Sequence, residues 1–254
     1  EEANVRAMAM AITQEMEKLS QYDYEIIFVD NNSEDNTQKI LREVARDNKK
    51  IKVIINNRNY GPLRSPRNAL HRATGDAIIG LACDFQDPPE MLEIFIKHWE
   101  SGYLTVFGQK IGSKEGKIKF YLRTIYYKII AAFSEVYQYD HISGMCLIDR
   151  KILDQLLVED ETIAFRHLIA ELGYEVKLVP YKQEKRKGGK SSYNPSKYFS
   201  FALDSLVNTS TAPLRIATVL GLTTSTISFF MGIIYLVYKL VYWERFLAGT
   251  APLI

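Results

Sequence analysis

Apolar residues occur along this chain in two patterns: short runs rich in Ile and Val, and longer stretches with an apolar residue every three or four positions. The runs predict strands over residues 24–30, 52–56, 77–83, 104–108 and 175–180. The helical spacing predicts helices over residues 5–19, 36–47 and 90–101. Because these strands and helices alternate, the sequence predicts an α/β fold with a mostly parallel sheet covered by helices.

Acidic residues follow two of the predicted strands. Asp30 ends the first strand, within VDNNSEDNT, and Asp84 follows the third, within ACDFQDPPE. Right-handed connections place the carboxyl ends of such strands along one edge of the sheet, where open α/β sheets bind their ligands. We therefore expect Asp30 and Asp84 to share a crevice.

The segment that contains Asp84 offers oxygen ligands for a metal ion. Asp84, Gln86 and Asp87 carry carboxylate or amide oxygens, and Mg²⁺ or Mn²⁺ prefers oxygen ligands that it shares with substrate phosphates. Residues 88–90, Pro-Pro-Glu, fit the start of the next helix instead. The segment therefore predicts a metal-bridged diphosphate.

An uncharged segment lies near the end of the chain. No residue between Arg215 and Lys239 is charged, and residues 217–238 have the length that crosses the hydrocarbon core of a bilayer. A transmembrane helix over about 216–239 is one interpretation, and a helix buried in a protein core is the other. A second apolar stretch begins at Phe246, where we expect a second, truncated span.

Two segments before the predicted span mix aromatic and charged residues. Residues 117–137 interleave Lys and Arg with Phe, Tyr, Leu and Ile, which fits an interfacial helix at lipid headgroups, or equally a helix packed on the α/β domain with solvated cations. Residues 198–206 resemble them. We divide the chain into an α/β domain (1–195), a juxtamembrane amphipathic segment (196–215) and a transmembrane region (216–254).

Composition excludes several classes of protein. A net charge of +2 is too small to indicate a nucleic-acid partner. The two cysteines, Cys83 and Cys146, lie in apolar runs, which favours a reducing compartment over a disulfide framework. The four histidines are widely separated, so the sequence does not predict a zinc site.

Several motifs occur in the order seen in family 2 glycosyltransferases, which the chain resembles over nearly its whole length. They are EEANV, VDNNSEDNT, RNYGPLRSPRNAL, GDAIIGLACDFQDPPE, KRKGGKSSY and the C-terminal apolar segment. The branch that looks most similar contains dolichyl-phosphate mannose synthases and bacterial polyisoprenyl-phosphate glucosyltransferases. The resemblance implies an A-type glycosyltransferase fold and inverting transfer of a hexose from a UDP- or GDP-sugar to undecaprenyl or dolichyl phosphate, with Mg²⁺ or Mn²⁺.

The resemblance also implies roles on the donor side. Asp84 and Gln86 would hold the metal at the donor diphosphate, and Asp84 would be catalytic. Ala82 replaces the first acid of the usual Asp-x-Asp motif, so metal binding falls to these two residues. The positions that match nucleotide-sugar contacts in the family are Glu1, Asp30, Asn32, Arg58 and Asp84.

On the acceptor side, the resemblance implies a cluster that binds the lipid phosphate: Arg123, Arg186, Lys190 and Ser191. Arginine suits this role because its planar fork donates paired hydrogen bonds to phosphate oxygens. The alternative for residues 185–190 is a solvated basic loop. Gly144 occupies a position where relatives have aspartate, so Asp140 is the substitute catalytic candidate, while Asp149 fits a structural role at a strand end. A phosphate acceptor is already ionised near neutral pH, so it can attack without a strong base.

Two other functions compete with this interpretation. A processive polysaccharide synthase would carry a Gln-x-x-Arg-Trp motif, which this sequence lacks. A catalytically silent nucleotide-sugar-binding or scaffold protein is suggested by Ala82 and Gly144. We expect a multi-pass protein of the plasma membrane, which forms a homo-oligomer, and the basic residues before the span favour a cytoplasmic catalytic domain.

Overall fold

A computed structural model of the protein describes residues 1–113, 139, 142–158, 165–184 and 211–242. The chain divides into two compact units, Glu1–Thr209 and Ser210–Ile254. In its described part, the first unit contains the sheets and six helices, and the second contains one long helix.

The first unit alternates helices and strands, as predicted. Its described helices are α1 (Val5–Glu17), α2 (Thr37–Asp47), α3 (Gly61–Leu70), α4 (Met91–Glu100), α5 (Arg150–Leu156) and α6 (Phe165–Leu172). Its described strands are β1 (Ile26–Asp30), β2 (Ile51–Ile55), β3 (Ala77–Gly80), β4 (Thr105–Ser113), β5 (Ile142–Asp149) and β6 (Val176–Gln183).

The strands form two sheets. β1 and β2 pair in parallel, with Ile26 opposite Ile51 and Asp30 opposite Ile55. The other four strands are ordered β3-β5-β4-β6, and β4 and β6 are parallel. β5 is antiparallel to both β3 and β4. The predicted α/β architecture is confirmed, but β5 makes the larger sheet mixed.

The structure differs from the prediction in a few elements. β3 ends at Gly80 instead of residue 83, which leaves the segment around Asp84 outside the sheet. The sequence pattern did not predict α3, and of β5 it predicted only a strand end at Asp149. α3 contains Pro66, which normally disfavours a helix interior, and β5 contains Gly144, which lowers strand propensity.

Three apolar clusters support these sheets. The first packs α4 against the larger sheet through Phe95, Val106, Met145 and Leu147. The second packs α5 and α6 on the same sheet through Ile152, Leu153 and Ile169, and the third packs α1 and α2 against β1 and β2. The clusters fix the strand ends that carry the acidic residues.

The long helix of the second unit, α7 (Ala212–Val241), has 30 residues. Its segment Leu214–Val241 is long and apolar enough to cross a membrane, and none of its most apolar window is buried. The first predicted span is therefore confirmed as a helix of suitable length and composition. The second predicted span and the segments 117–137 and 198–206 lie outside the described residues.

Candidate active site

The end of β1 forms a tight polar turn around Asp30. The Asp30 side chain is only 3% exposed, and its carboxylate accepts a hydrogen bond from the Ser33 backbone N–H at 3.0 Å. Asn32, between them, is exposed and has a φ of +63°, a conformation that Asn tolerates better than most residues. The turn therefore presents the predicted nucleotide contact Asn32 at the surface beside a buried carboxylate.

The buried side chain of Asn56 connects three elements at this edge. Its backbone N–H donates to the carbonyl of Asp30 at 2.9 Å. Its side-chain amide donates to Ser65 Oγ at 2.9 Å and to Asn31 Oδ1 at 3.3 Å, and its Oδ1 accepts from Asn68 Nδ2 at 2.9 Å. Asn56 thereby joins the ends of β1 and β2 to α3. Sequence reasoning missed it because its partners are far apart in the chain.

A basic pocket of about 450 Å³ lies between the end of β2 and α3. The lining residues that the structure describes are Ile55, Asn56, Asn57, Arg58, Tyr60, Arg64, Ser65, Arg67, Asn68 and His71. None of these is a carboxylate, so the pocket attracts anions. The predicted nucleotide contact Arg58 is exposed and lies over the Tyr60 ring, 4.3 Å from its centroid.

The segment after β3 holds Asp84 in a second turn. Asp84 is 7% exposed, and its Oδ1 accepts from the Gln86 backbone N–H at 3.1 Å. Phe85, between them, has a φ of +59°. The carbonyl of Gln86 accepts from the Glu184 backbone N–H at 3.2 Å. We name residues 84–87 the acidic loop. Through this bond the loop contacts the residue that directly follows β6.

A second buried carboxylate completes the acidic loop. Asp87 is 4% exposed, and its Oδ1 accepts a hydrogen bond from the Tyr181 hydroxyl. Burial raises the pKa of Asp87, and the charge of Asp84 adds to this, whereas the Tyr181 hydrogen bond and the Lys110 charge oppose it. Lys110 and Tyr181 are neighbours in the β4–β6 register. Both residues were missed by sequence reasoning.

The environment of Cys83 links the acidic loop to the start of the chain. Its side chain packs against the cluster that contains Ile26 and Phe28 of β1. The pKa of the Cys83 thiol is raised to about 11, mainly by burial, with smaller contributions from the charges of Glu1 and Asp84. Glu1 and Asp84 therefore both lie close enough to Cys83 to affect its pKa. Glu1 also accepts a hydrogen bond from Asn4 Nδ2 at 2.8 Å.

Neither cysteine suits nucleophilic catalysis. Burial raises the pKa of the Cys146 thiol to about 12, and that of Cys83 is also high. A thiol with so high a pKa stays protonated near neutral pH, and the thiolate is the nucleophile. The chemistry of this edge therefore rests on carboxylates, amides and cations.

The sequence profile of Glycosyl transferase family 2 matches residues 5–157, a range that runs from α1 through the acidic loop to the end of α5. The chain belongs to glycosyl transferase family 2.

Curated relatives support this assignment. The chain is 28% identical over 240 residues to the putative glycosyltransferase CsbB of Bacillus subtilis, covering 94% of this chain and 69% of the relative. It is 31% identical to the uncharacterized glycosyltransferase sll0501 of Synechocystis, covering 81% and 65%. It is 28% identical to the prophage bactoprenol glucosyl transferase homolog of Escherichia coli K12, covering 86% and 72%. The chain thus spans 65% to 72% of the lengths of these relatives.

Solved structures support the predicted A-type glycosyltransferase fold. Glucosyl-3-phosphoglycerate synthase from Mycobacterium tuberculosis in complex with phosphoglyceric acid aligns with a TM-score of 0.54 at 13% identity, covering 82% of this chain and 75% of that one. The same enzyme in complex with uridine diphosphate gives a TM-score of 0.51, with coverages of 82% and 76%. At this identity the likeness shows the fold alone.

Two departures of this glycosyltransferase from the family motif are close to each other. Gly80 pairs with Cys146 across the antiparallel strands β3 and β5. Ala82 comes two residues after Gly80, and Gly144 comes two residues before Cys146, so both lie beyond the same end of this pairing. Both residues are exposed, and a Cβ atom on Gly144 would meet no other atom within 4 Å. The surface at Ala82 and Gly144 is therefore open, and neither side chain contributes a charge to it.

Asp149 has the structural role that the sequence predicted. It ends β5, and its Oδ1 accepts from the Lys151 backbone N–H at 2.9 Å, which caps α5. Its Oδ2 accepts from the Trp99 indole N–H at 2.8 Å. Both carboxylate oxygens of Asp149 thus bind elements of the fold.

The donor-side oxygens fit a metal that is shared with a substrate. Among the residues that the structure describes, no group of three or more His, Cys, Asp or Glu side chains can hold a metal ion. Asp84 and Gln86 carry side-chain oxygens two positions apart in the same turn of the acidic loop. Mg²⁺ commonly takes one or two protein carboxylates and completes its shell with water and substrate phosphates, so these residues fit such an ion.

The predicted acceptor side of this glycosyltransferase lies outside the described residues. This applies to Arg123, Asp140, Arg186, Lys190 and Ser191. Their roles stay predictions. Two described residues flank them in the chain. Tyr139 directly precedes Asp140, and Glu184 immediately precedes the basic segment and contacts the acidic loop.

Proposed function

We propose that this glycosyltransferase moves a hexose from a UDP- or GDP-sugar to a polyisoprenyl phosphate. Several relatives at 27–28% identity carry the name bactoprenol glucosyl transferase, and the chain covers 72–75% of their lengths. These names support a lipid-linked acceptor. The proposed acceptor is undecaprenyl or dolichyl phosphate, and the product is a sugar attached to the lipid phosphate for the assembly of cell-envelope or other glycans.

The observation that carries the proposal is a pair of buried acidic turns, one at the end of β1 and one after β3, together with the basic pocket at the end of β2. Asp30 and Asp84 are both buried, and each accepts a backbone hydrogen bond within its own turn. A nucleotide sugar has a hydrogen-bonding base at one end and the transferred sugar at the other, with a diphosphate between them. Asp30 with Asn32 and Arg58 suits the nucleoside, and Asp84 suits the metal-bound diphosphate.

Asp84 and Gln86 would hold Mg²⁺ or Mn²⁺ in this proposal. A divalent ion bound there supplies positive charge to the departing nucleoside diphosphate. Lys110, which lies close enough to Asp87 to affect its pKa, adds a protein cation near the same loop. Preorganised charges of this kind are often the largest contribution to the rate of group transfer.

The acceptor phosphate would attack C1 of the sugar in a single displacement that inverts the anomeric centre. One carbon–oxygen bond to the lipid phosphate forms as the bond to the nucleoside diphosphate breaks. The phosphate is already ionised near neutral pH, so no strong base is required. Arg123, Arg186, Lys190 and Ser191 are the proposed acceptor-phosphate ligands, and Asp140 is the proposed catalytic acid or base near the sugar.

The acceptor explains the need for a membrane anchor. A polyisoprenyl phosphate keeps its phosphate at the headgroup layer, and α7 is long and apolar enough to hold the protein at a membrane. We propose that segments 117–137 and 196–215 lie along the interface, that a second span follows, that the catalytic domain is cytoplasmic and that the protein forms a homo-oligomer in the plasma membrane.

The experiment is a transfer assay with the detergent-solubilised protein. Radiolabelled UDP- and GDP-sugars are each incubated with undecaprenyl or dolichyl phosphate, in Mn²⁺, in Mg²⁺ or in EDTA. The proposal predicts label in the lipid fraction with one donor, and its loss in EDTA. Nucleotide binding without transfer to either lipid would instead support the catalytically silent binding protein.

A further inference from the structure

The acidic loop is held by the far strand of the larger sheet at two points. One is the backbone bond from the Glu184 N–H to the Gln86 carbonyl at 3.2 Å. The other is the bond from the Tyr181 hydroxyl to the Asp87 carboxylate. Tyr181 belongs to β6 and is 94 positions away from Asp87 in the chain. These contacts cannot arise from the local propensity of the loop, so the strand determines the loop's position.

The second contact places a carboxylate where burial disfavours its charge. Asp87 and Tyr181 are both buried, and inside that buried site the Asp87 carboxylate accepts a hydrogen bond from the Tyr181 hydroxyl. At the start of α4, the carbonyls of Pro88 and Pro89 already accept hydrogen bonds from the N–H groups of Met91 and Leu92. The Asp87 carboxylate is therefore not needed to start this helix. The buried contact therefore requires a separate explanation.

We infer that Asp87 is a positioning residue for metal binding, which Tyr181 holds so that the loop keeps Asp84 and Gln86 in their ligand geometry. This inference rests on the proposed function, since it concerns the same metal. Gln86 lies directly between the two anchored points, Asp84 with its own turn and Asp87 with Tyr181. A loop fixed on both sides of a ligand loses less conformational freedom when the metal binds.

The arrangement also connects the two halves of the proposed site. β6 ends at Gln183, and Glu184 leads directly into the basic segment that begins at Lys185. The strand that holds the acidic loop is therefore also the strand from which the proposed acceptor-phosphate segment starts. Loss of the Tyr181 hydroxyl should change the metal requirement of the reaction more than it changes the stability of the fold.

The test compares Tyr181→Phe with Tyr22→Phe in the full, detergent-solubilised protein. Tyr22 is the matched control because its hydroxyl also donates to a carboxylate, that of Glu100 at 2.5 Å, on the surface before β1. Transfer is measured over a range of Mn²⁺ concentrations. We expect Tyr181→Phe to raise the Mn²⁺ concentration for half-maximal rate about tenfold, the effect of losing a hydrogen bond to a charged group. The kcat at saturating Mn²⁺ stays within about twofold, and Tyr22→Phe matches the wild type.

Two results would overturn the inference alone while wild-type transfer persists. One is an equal Mn²⁺ requirement in Tyr181→Phe and Tyr22→Phe. The other is a loss of rate in Tyr181→Phe that is the same at every Mn²⁺ concentration, which indicates a structural role only. If the wild type transfers no sugar, the proposed function fails, but the inference can still be tested. Mn²⁺ binding in the presence of UDP or GDP is then measured by electron paramagnetic resonance, and weaker binding in Tyr181→Phe than in Tyr22→Phe would support the inference.

Discussion

Trp99 and Asp149 are joined by a hydrogen bond of 2.8 Å from the indole Nε1 to the carboxylate Oδ2. The bond connects α4 to the end of β5, and the other oxygen of Asp149 caps α5. A carboxylate with both oxygens committed to the fold is a poor candidate for chemistry on a substrate. This distinguishes Asp149, which ends β5, from Asp84, which follows β3 in the same sheet.

Asp149→Ala should therefore destabilise the protein and leave its chemistry intact. Loss of a helix cap and of a partner for a partly buried indole together cost about 2 to 3 kcal/mol, or roughly 5 to 10 °C in Tm for a domain of this size. Thermal unfolding and Trp99 fluorescence report the change. Asp154→Ala, at an exposed position of the same helix, is the control. A kcat that falls by tenfold or more at a temperature where the variant is folded would contradict this role.

Asp30→Asn should weaken donor binding. The substitution keeps the shape of the buried side chain but removes its charge, so a charge-assisted hydrogen bond to the nucleoside becomes a neutral one. The expected loss is about 1.4 kcal/mol, or roughly tenfold in Kd. Calorimetric titration with UDP and with GDP measures it, and Asp47→Asn at the exposed end of α2 is the control. Identical Kd values in the two variants would show that Asp30 serves the turn alone.

The burial of Asp87 predicts a pH-dependent stability. Because the pKa of Asp87 is raised in the folded state, the folded protein keeps a proton that the unfolded chain releases above about pH 3.9. Stability then falls as the pH rises through the window between these two pKa values. Asn does not titrate, so Asp87→Asn lacks this loss of stability. The Tm of Asp87→Asn minus the Tm of the wild type, both measured in EDTA, should therefore increase from pH 4 to pH 7.

Asp154→Asn provides the matched surface variant for this measurement. Its Tm difference from the wild type should show no such rise. A constant or shrinking difference for Asp87→Asn would contradict the raised pKa. If Asp87→Asn is more stable than the wild type but needs more Mn²⁺, the buried carboxylate lowers stability and contributes to metal binding.

The α7 helix predicts sensitivity to charge at the membrane. Ile227 and Ile234 are exposed on α7, and an Arg near the centre of a span costs about 2.5 to 3.5 kcal/mol. The double variant Ile227→Arg, Ile234→Arg should remain in carbonate-washed membranes to a much smaller extent than the wild type. The double Leu variant is the control. Equal retention of both variants would show that α7 does not span the bilayer.

Much of the fold could be predicted from local sequence. The Ile and Val runs indicated β1, β2, β3, β4 and β6, because apolar and β-branched residues favour strands. α3 was missed because Pro66 lies within it. The bounds of β5 were missed because Gly144 interrupts its apolar pattern, although Asp149 was expected at a strand end. β5 owes its place to pairing with β3 and β4 on both sides, which no local signal reveals.

The sequence identified Asp30 and Asp84 because each comes after an apolar run that forms a strand. That the two share one crevice stays a prediction, since β1 and β3 belong to different sheets. The contacts of Asn56, Lys110 and Tyr181 were not predictable, because they depend on the packing of α3 and on the β4–β6 register. Lys110 and Tyr181 are 71 positions apart in sequence, yet they are direct partners in the sheet.

The most direct test of the proposed function is metal-dependent transfer of sugar to polyisoprenyl phosphate by Asp84→Asn and by the surface variant Asp154→Asn. If Asp84 holds the metal, Asp84→Asn lowers kcat at saturating Mn²⁺ at least about a hundredfold, the scale of removing a preorganised transition-state contact, while Asp154→Asn matches the wild type. Transfer by Asp84→Asn at the wild-type rate and with the wild-type Mn²⁺ requirement would contradict it.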